Sequence, residues 1–175
     1  ASFGNYEKTI IAGNTFDFAS IHGKSIQNFG VSFVSCSRAS VENGKIDLKK
    51  YDVVDLILGK QKSTIIGRDS LNIRYKTFSK SLQERIVDYL QNGGAIFASG
   101  AYIASDMQTK EDADFTKNWL KYTFATDNAS LSGIVVPYST PKNPFRFSFE
   151  ICNEPNSKIY HTTSVDALRA VPTIS

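Results

Sequence analysis

Residues 51 to 106 constrain the fold most. Tyr51-Asp-Val-Val-Asp-Leu-Ile-Leu-Gly59 is followed by a basic excursion and an amphipathic stretch, then by Gly93-Gly-Ala-Ile-Phe-Ala-Ser-Gly-Ala-Tyr-Ile-Ala-Ser-Asp106. This order of strand, excursion, helix, strand and sharp turn is the rhythm of a parallel α/β sheet. Val53 to Leu58 is apolar apart from Asp55, the texture of a strand covered on both faces. In such sheets ligands sit beyond the carboxyl ends of the strands, so Gly59 onward and Ser99 onward are the places to seek a site.

The remaining elements follow from periodicity. Lys8 to Ala12 reads as a short strand, Gly13-Asn-Thr15 as a turn, and the chain then as a helix to Phe29. Thr15 is placed to cap that helix and Asp17 to meet its dipole. Phe18, Ile21, Ser25, Ile26 and Phe29 form the expected inward stripe, and Gly23 suits close packing against a strand. Val31 to Cys36 is expected to be a further parallel strand. A helix over residues 78 to 92 carries Phe78, Leu82, Ile86, Tyr89 and Leu90 on one face and stops at Gly93-Gly94, with Ser81 to Glu84 as a capping box if it begins late. Another helix is expected over 112 to 122. After Gly133 three short runs, 133 to 138, 146 to 152 and 158 to 163, read as mostly antiparallel strands. The expected fold is a single α/β domain, a three-layer sandwich with a mainly parallel sheet and antiparallel strands near the C-terminus.

Bulk properties bound the function. A chain of 175 residues suits one domain and can bury roughly 70% of its unfolded surface. Net charge is +3, too small to imply nucleic acid, and no aromatic pair on a basic strand resembles an RNA-binding signature. No run approaches the ~18 apolar residues of a membrane span. The start at Ala1 and the abrupt stop at Ser175 suggest a mature or excised piece. Cys36 and Cys152 each close an apolar run, which suits buried inert thiols better than a metal site or a redox pair. Two histidines without a carboxylate at ligand spacing argue against zinc. Gly13-Asn-Thr15 lacks the pattern of a phosphate loop, so no cofactor is expected.

Several segments match a known architecture. Tyr51-Asp-Val-Val, with Ile86-Val-Asp-Tyr-Leu-Gln-Asn-Gly-Gly94 and the strand and tight turn after it, resembles the middle of a class I glutamine amidotransferase-like domain. Ile11-Ala-Gly-Asn-Thr-Phe-Asp-Phe18, His22-Gly23, Ser35-Cys-Ser37, Asp55-Leu-Ile-Leu-Gly-Lys-Gln61 and Ser99-Gly-Ala-Tyr-Ile-Ala-Ser-Asp106 resemble the flavodoxin-like module of large secreted Bacteroidetes proteins. Those proteins carry the names xanthan lyase or N-acetylmuramoyl-L-alanine amidase, and the resemblance spans residues 5 to about 170. It implies a secreted, periplasmic or cell-envelope setting, neighbouring domains of a parent protein as partners, and polysaccharide or peptidoglycan processing. Amidotransferases end the strand after the paired glycines in Gly-x-Cys-x-Gly. Here the segment is Phe97-Ala-Ser-Gly-Ala101, with Ser99 in the nucleophile position and no thiol. The family's His-x-Glu pair has only His161-Thr-Thr163 as an echo. A serine lacking a base is a weak nucleophile, so the expectation is a non-catalytic accessory or ligand-binding module.

Two function classes therefore stand side by side. In the first, an acidic glycan or peptidoglycan fragment binds at Asp55, Gly59, Lys60, Gln61, Arg68, Arg74, Gly100 and Tyr102. The basic excursion, with Lys62 and Lys76 and an expected β-hairpin around Gly67 to Ser70, supplies positive charge, unless it is only a solvated face. In the second, Ser99 acts as a hydrolase nucleophile with Asp106 or His161. The structural alternative for Ser99 to Asp106 is a strand-to-helix turn in which Ser99 caps the helix and Asp106 holds nearby backbone. For Asp55 it is an anchor receiving hydrogen bonds from a neighbouring element.

Overall fold

The computed structural model describes residues 18–65, 73–129, 134–136, 148–150 and 165–172. Helix α1 is Phe18–Asn28 and α2 is Arg38–Glu42, followed by a 3-10 turn, Leu48–Lys50. Strand β1, Val53–Gly59, leads into the short strands β2, Thr64–Ile65, and β3, Ile73–Arg74. Helix α3, Lys80–Gln91, precedes β4, Ala95–Gly100. Helix α4, Lys110–Phe115, runs into a π-helical turn, Thr116–Leu120, and then β5, Tyr122–Thr126. Strands β6, Ile134–Val135, β7, Phe149–Glu150, and β8, Ala167–Ala170, complete the described elements.

The expected pairing of the two apolar runs holds. Strands β1 and β4 are parallel, in register from Val53 opposite Ala95 to Ile57 opposite Ser99, with a shift before Gly59 meets Gly100. Alternation turns Val54, Leu56 and Leu58 to one face, where they join Ile96, Ala98 and the buried Leu82, Ile86 and Tyr89 of α3 in the core. Phe78, Ile103, Met107, Phe115 and Tyr122 close this core from the side. Strands β2 and β3 form the expected hairpin, β6 pairs with β7, and β5 pairs with β8, all antiparallel. The described architecture is mixed α/β, with a small parallel sheet and separate antiparallel pairs. Among the described residues no helix is long and apolar enough to cross a membrane.

Local chemistry explains the helix limits. Ser79, not Ser81, caps α3, its hydroxyl accepting from Leu82 N–H at 3.2 Å. Gly93 takes φ +85°, the left-handed conformation that ends a helix. Gly94 lies against the Tyr89 ring, where a Cβ would sit 2.2 Å from a ring carbon.

Four expectations change. Residues 31–36 form no strand among the described residues, and Val31 and Val34 stay exposed despite their apolar character. Helix α1 is rotated from its expected stripe: Ile21 and Phe29 are 59% and 87% exposed. Ser25 is exposed as well, whereas Ile26 faces inward as expected, together with Gly23, which abuts the Phe33 ring, and His22, which bonds Asp55. The helix expected to reach Tyr122 ends earlier, as Lys121 turns left-handed at φ 60° and Tyr122 begins β5. Finally, β8 was not foreseen. The expected strands at 8 to 12 and 158 to 163, with Thr15, Asp17 and Cys152, lie outside the described residues; Cys36 is a partly buried free thiol.

Candidate functional site

The carboxyl ends of β1 and β4 meet at two glycines. Gly59 takes φ 57°, and its carbonyl accepts from Ala101 N–H at 2.7 Å. Gly100 is required for space: a Cβ there would stand 2.8 Å from Ile103 Cγ2 and 3.0 Å from Leu58 Cβ. No helix follows β4 directly. Residues 101–106 form a turn and α4 begins at Lys110 with Thr109 as its cap, so Ser99 does not cap a helix.

This turn is the point on which distant segments converge. The Asp106 carboxylate receives Ser63 N–H on Oδ1 at 2.9 Å and Thr77 N–H on Oδ2 at 2.7 Å. It thereby clamps both ends of the excursion that carries β2 and β3. The fully buried Thr77 donates its hydroxyl to Gln61 O at 2.8 Å. Gln61 Nε2 reaches Lys76 O at 3.4 Å, while its Oε1 is buried without a partner. Arg38 of α2 donates to Lys76 O and Thr77 O at 2.8 and 3.1 Å. On the C-terminal side, Tyr122 donates its hydroxyl to Ile103 O at 2.7 Å. Burial, reinforced by the Asp166 carboxylate, pushes that phenol well above its ordinary range.

The basic excursion is more committed than its sequence suggests. Lys76 Nζ is paired with the buried Asp112, 2.5 Å from Oδ2. Burial alone would raise the Asp112 carboxyl, but hydrogen bonds from Lys76, Thr109 and Gln83 outweigh it and hold the group below its usual range. Lys62 Nζ stands 4.7 Å from the centroid of the Tyr102 ring, a cation–π contact. Lys60 is half-buried in the turn after β1 and has contacts of its own. Arg74 pairs through its backbone with Thr64, and its side chain, like Arg68 and His161, lies outside the described residues.

The three expected catalytic groups are not assembled among the described residues. Ser99 is half-buried, and no hydrogen bond joins its hydroxyl to Asp106 or to another described side chain. Asp106 instead holds backbone on both oxygens, its structural alternative.

A second locus lies on the opposite face of β1. His22 Nδ1 of α1 stands 2.6 Å from Asp55 Oδ2, and Asp55 Oδ1 is buried without a partner. The pair borders a groove of about 600 Å³ between α1, residues 31–36 and β1, lined by Ala19, Ile26, Val31, Cys36 and Ile57 among others. Such a volume lies within the range of small-molecule pockets. Sequence reading singled out both residues but did not pair them. The usable signal was a polar side chain interrupting the inward face of each of two elements.

Asp166 went unnoticed altogether. It precedes β8, and its Oδ2 accepts from both Ala104 N–H and Ser105 N–H at 2.7 Å. No local motif announces such a contact across more than 60 residues. Among the described residues no three His, Cys, Asp or Glu side chains gather to hold a metal. Compared with protein-family models, curated proteins and solved structures, the chain gives no match.

Proposed function

We propose that this chain is a non-catalytic, amidotransferase-like accessory or ligand-binding module of a secreted cell-envelope or polysaccharide-processing protein, built on a three-layer flavodoxin-like frame. The observation that carries this reading is the commitment of Asp106: both oxygens bind backbone N–H groups, so the acid nearest Ser99 in sequence is spent on holding the excursion. A hydroxyl without a general base attacks slowly. The absent thiol after Ala98 supports the same conclusion against glutamine chemistry. The parallel strands, the core helix on one face and the His22 tie from α1 on the other support the layered frame.

The ligand is an acidic glycan or peptidoglycan fragment, approaching the carboxyl ends of β1 and β4. Lys60, Lys62, Arg68 and Arg74 supply the positive potential, and Gly59, Gln61, Gly100 and Tyr102 the surface beneath it. The test is turnover of glutamine, muropeptides and activated esters by the pure protein and by Ser99→Ala, beside calorimetric titration with uronic-acid oligosaccharides. Binding without Ser99-dependent turnover is expected. Turnover lost in Ser99→Ala overturns the non-catalytic reading.

A further inference from the structure

A gap runs through the plane of the sheet beside β1. Among the described strands β1 pairs only with β4, so its other edge carries no ladder. Beyond that edge lies the groove of about 600 Å³ bounded by α1 and residues 31–36. Those residues alternate as a strand does: Phe33 packs on Gly23 of α1, whereas Cys36 packs on the core covered by α3. The groove is lined from both layers, by Ala19 and Ile26 of α1 and by Val41, Leu82 and Ile86 of the core. A ligand pocket on one face of a sheet meets only one of those layers. The rim is apolar and uncovered, with Phe29, Val31, Val34 and Val53 all exposed.

The direction of the chain says which segment belongs there. A connection between parallel strands of one sheet is right-handed in about 98% of cases, so with the connecting helix toward the viewer the next strand lies to the right. Seen from the α3 side, β4 therefore stands to the right of β1. The connection from residues 31–36 to β1 runs through α2 and the 3-10 turn, whose Val41 and Leu48 join the same core. By the same rule β1 stands to the right of residues 31–36. Helix α1 lies on the opposite face, where His22 meets Asp55. A parallel strand preceding α1 must then also stand to the right of residues 31–36, in the gap before β1. The sequence ahead of α1 offers the apolar run Thr9-Ile-Ile-Ala12, with Gly13 to Asp17 left for the connection. That length falls within the usual span of about two to six residues between a strand and its helix.

We propose that residues 8–12 fill this groove as a parallel strand between residues 31–36 and β1, giving the sheet order 31–36, 8–12, β1, β4. Alternation then sends Ile10 and Ile11 to opposite faces, one beneath α1 and the other into the core under α3. The insertion completes the layered frame and is independent of the ligand-binding reading.

The test is nuclear Overhauser spectroscopy on the full, isotope-labelled chain. Backbone contacts are expected from residues 9–12 to residues 32–35 on one side and to residues 53–57 on the other, at the spacing of about 4.8 Å between neighbouring strands. Contacts to one flank alone, or directly between residues 32–35 and 53–57, overturn the proposal. Contacts to neither flank, the result expected if an outside apolar ligand owns the groove, overturn it too. A mixture of labelled and unlabelled chains tests a second copy as the occupant: contacts found only between chains overturn insertion within one chain. Substitution gives a second readout. Ile10→Ala and Ile11→Ala should each lower the folding constant at least about thirty-fold, because both side chains are covered. If those variants do not fold, Ile10→Val and Ile11→Val should each lower it about two- to twelve-fold. A loss at only one of the two positions describes a segment lying on the surface of the sheet and overturns the insertion.

Discussion

His22 Nδ1 and Asp55 Oδ2 meet at 2.6 Å and join α1 to the face of β1 turned away from the core. Neither side chain is more than a third exposed, and Asp55 Oδ1 has no partner even with His22 in place. Removing the imidazole leaves a largely buried carboxylate with nothing on either oxygen, at a cost of about 1–3 kcal/mol. His22→Ala should therefore lower stability by that amount in urea unfolding, and His22→Ala with Asp55→Val should recover most of the loss. Additive losses in this cycle would show that the two residues act independently.

Tyr89 is the corresponding anchor on the core side. Its hydroxyl lies within 3.1 Å of the carbonyls of Tyr51, Asp52 and Ala95, and it accepts from Ala95 N–H at 3.2 Å. One buried hydroxyl thus serves the amino-terminal ends of both parallel strands. Tyr89→Phe should cost about 1–3 kcal/mol by leaving those groups unsatisfied, read as a fall in Tm of a few degrees. Gly94→Ala should be at least as damaging, because its methyl meets the Tyr89 ring. A Tm unchanged in both variants would remove this anchor from the account.

The parts of the fold legible in the sequence were those governed by short-range pattern. Val53 to Leu58 and Ala95 to Ser99 are apolar runs separated by a helical stretch, which leaves little besides a parallel pair. The stripe of α1 was legible only in part: Ile26 faces inward, but apolar size alone placed Ile21 and Phe29 there, and both are exposed. Tyr122 fits the helical spacing after Phe115, and the π-helical turn and the left-handed Lys121 break it. At the site, Asp106 was legible as a backbone holder from its place after a tight turn. Asp166 was not, since its partners lie more than 60 residues away.

Ser99 and Asp106 should separate cleanly under substitution. Ser99→Ala removes a hydroxyl with no bond to a described side chain and should change stability by no more than about 0.5 kcal/mol. Asp106→Ala orphans the Ser63 and Thr77 N–H groups and should cost about 2–3 kcal/mol, since bonds to charged acceptors are the stronger kind. Hydrogen exchange at those two amides should accelerate in Asp106→Ala and stay unchanged in Ser99→Ala. Equal protection in both variants would mean that Asp106 does not clamp the excursion.

Acid should loosen the same excursion through Asp112. Lys76, Thr109 and Gln83 all donate to its carboxylate and hold the folded-state value below the 3.8 of the free group, against the opposing effect of burial. A depressed pKa means that the unfolded chain binds the proton more readily. The contribution of Asp112 is therefore fully present above the unfolded value and drains away as pH falls through 3.8 toward the folded one. Lys76→Met removes one charged donor, so the folded value should rise toward 3.8 and this part of the acid sensitivity should shrink. Unfolding free energies measured between about pH 5 and pH 2 should fall more steeply for the natural chain than for Lys76→Met or Asp112→Asn. Parallel curves would assign the acid response to other carboxylates and leave the Lys76–Asp112 pair a contact of packing alone.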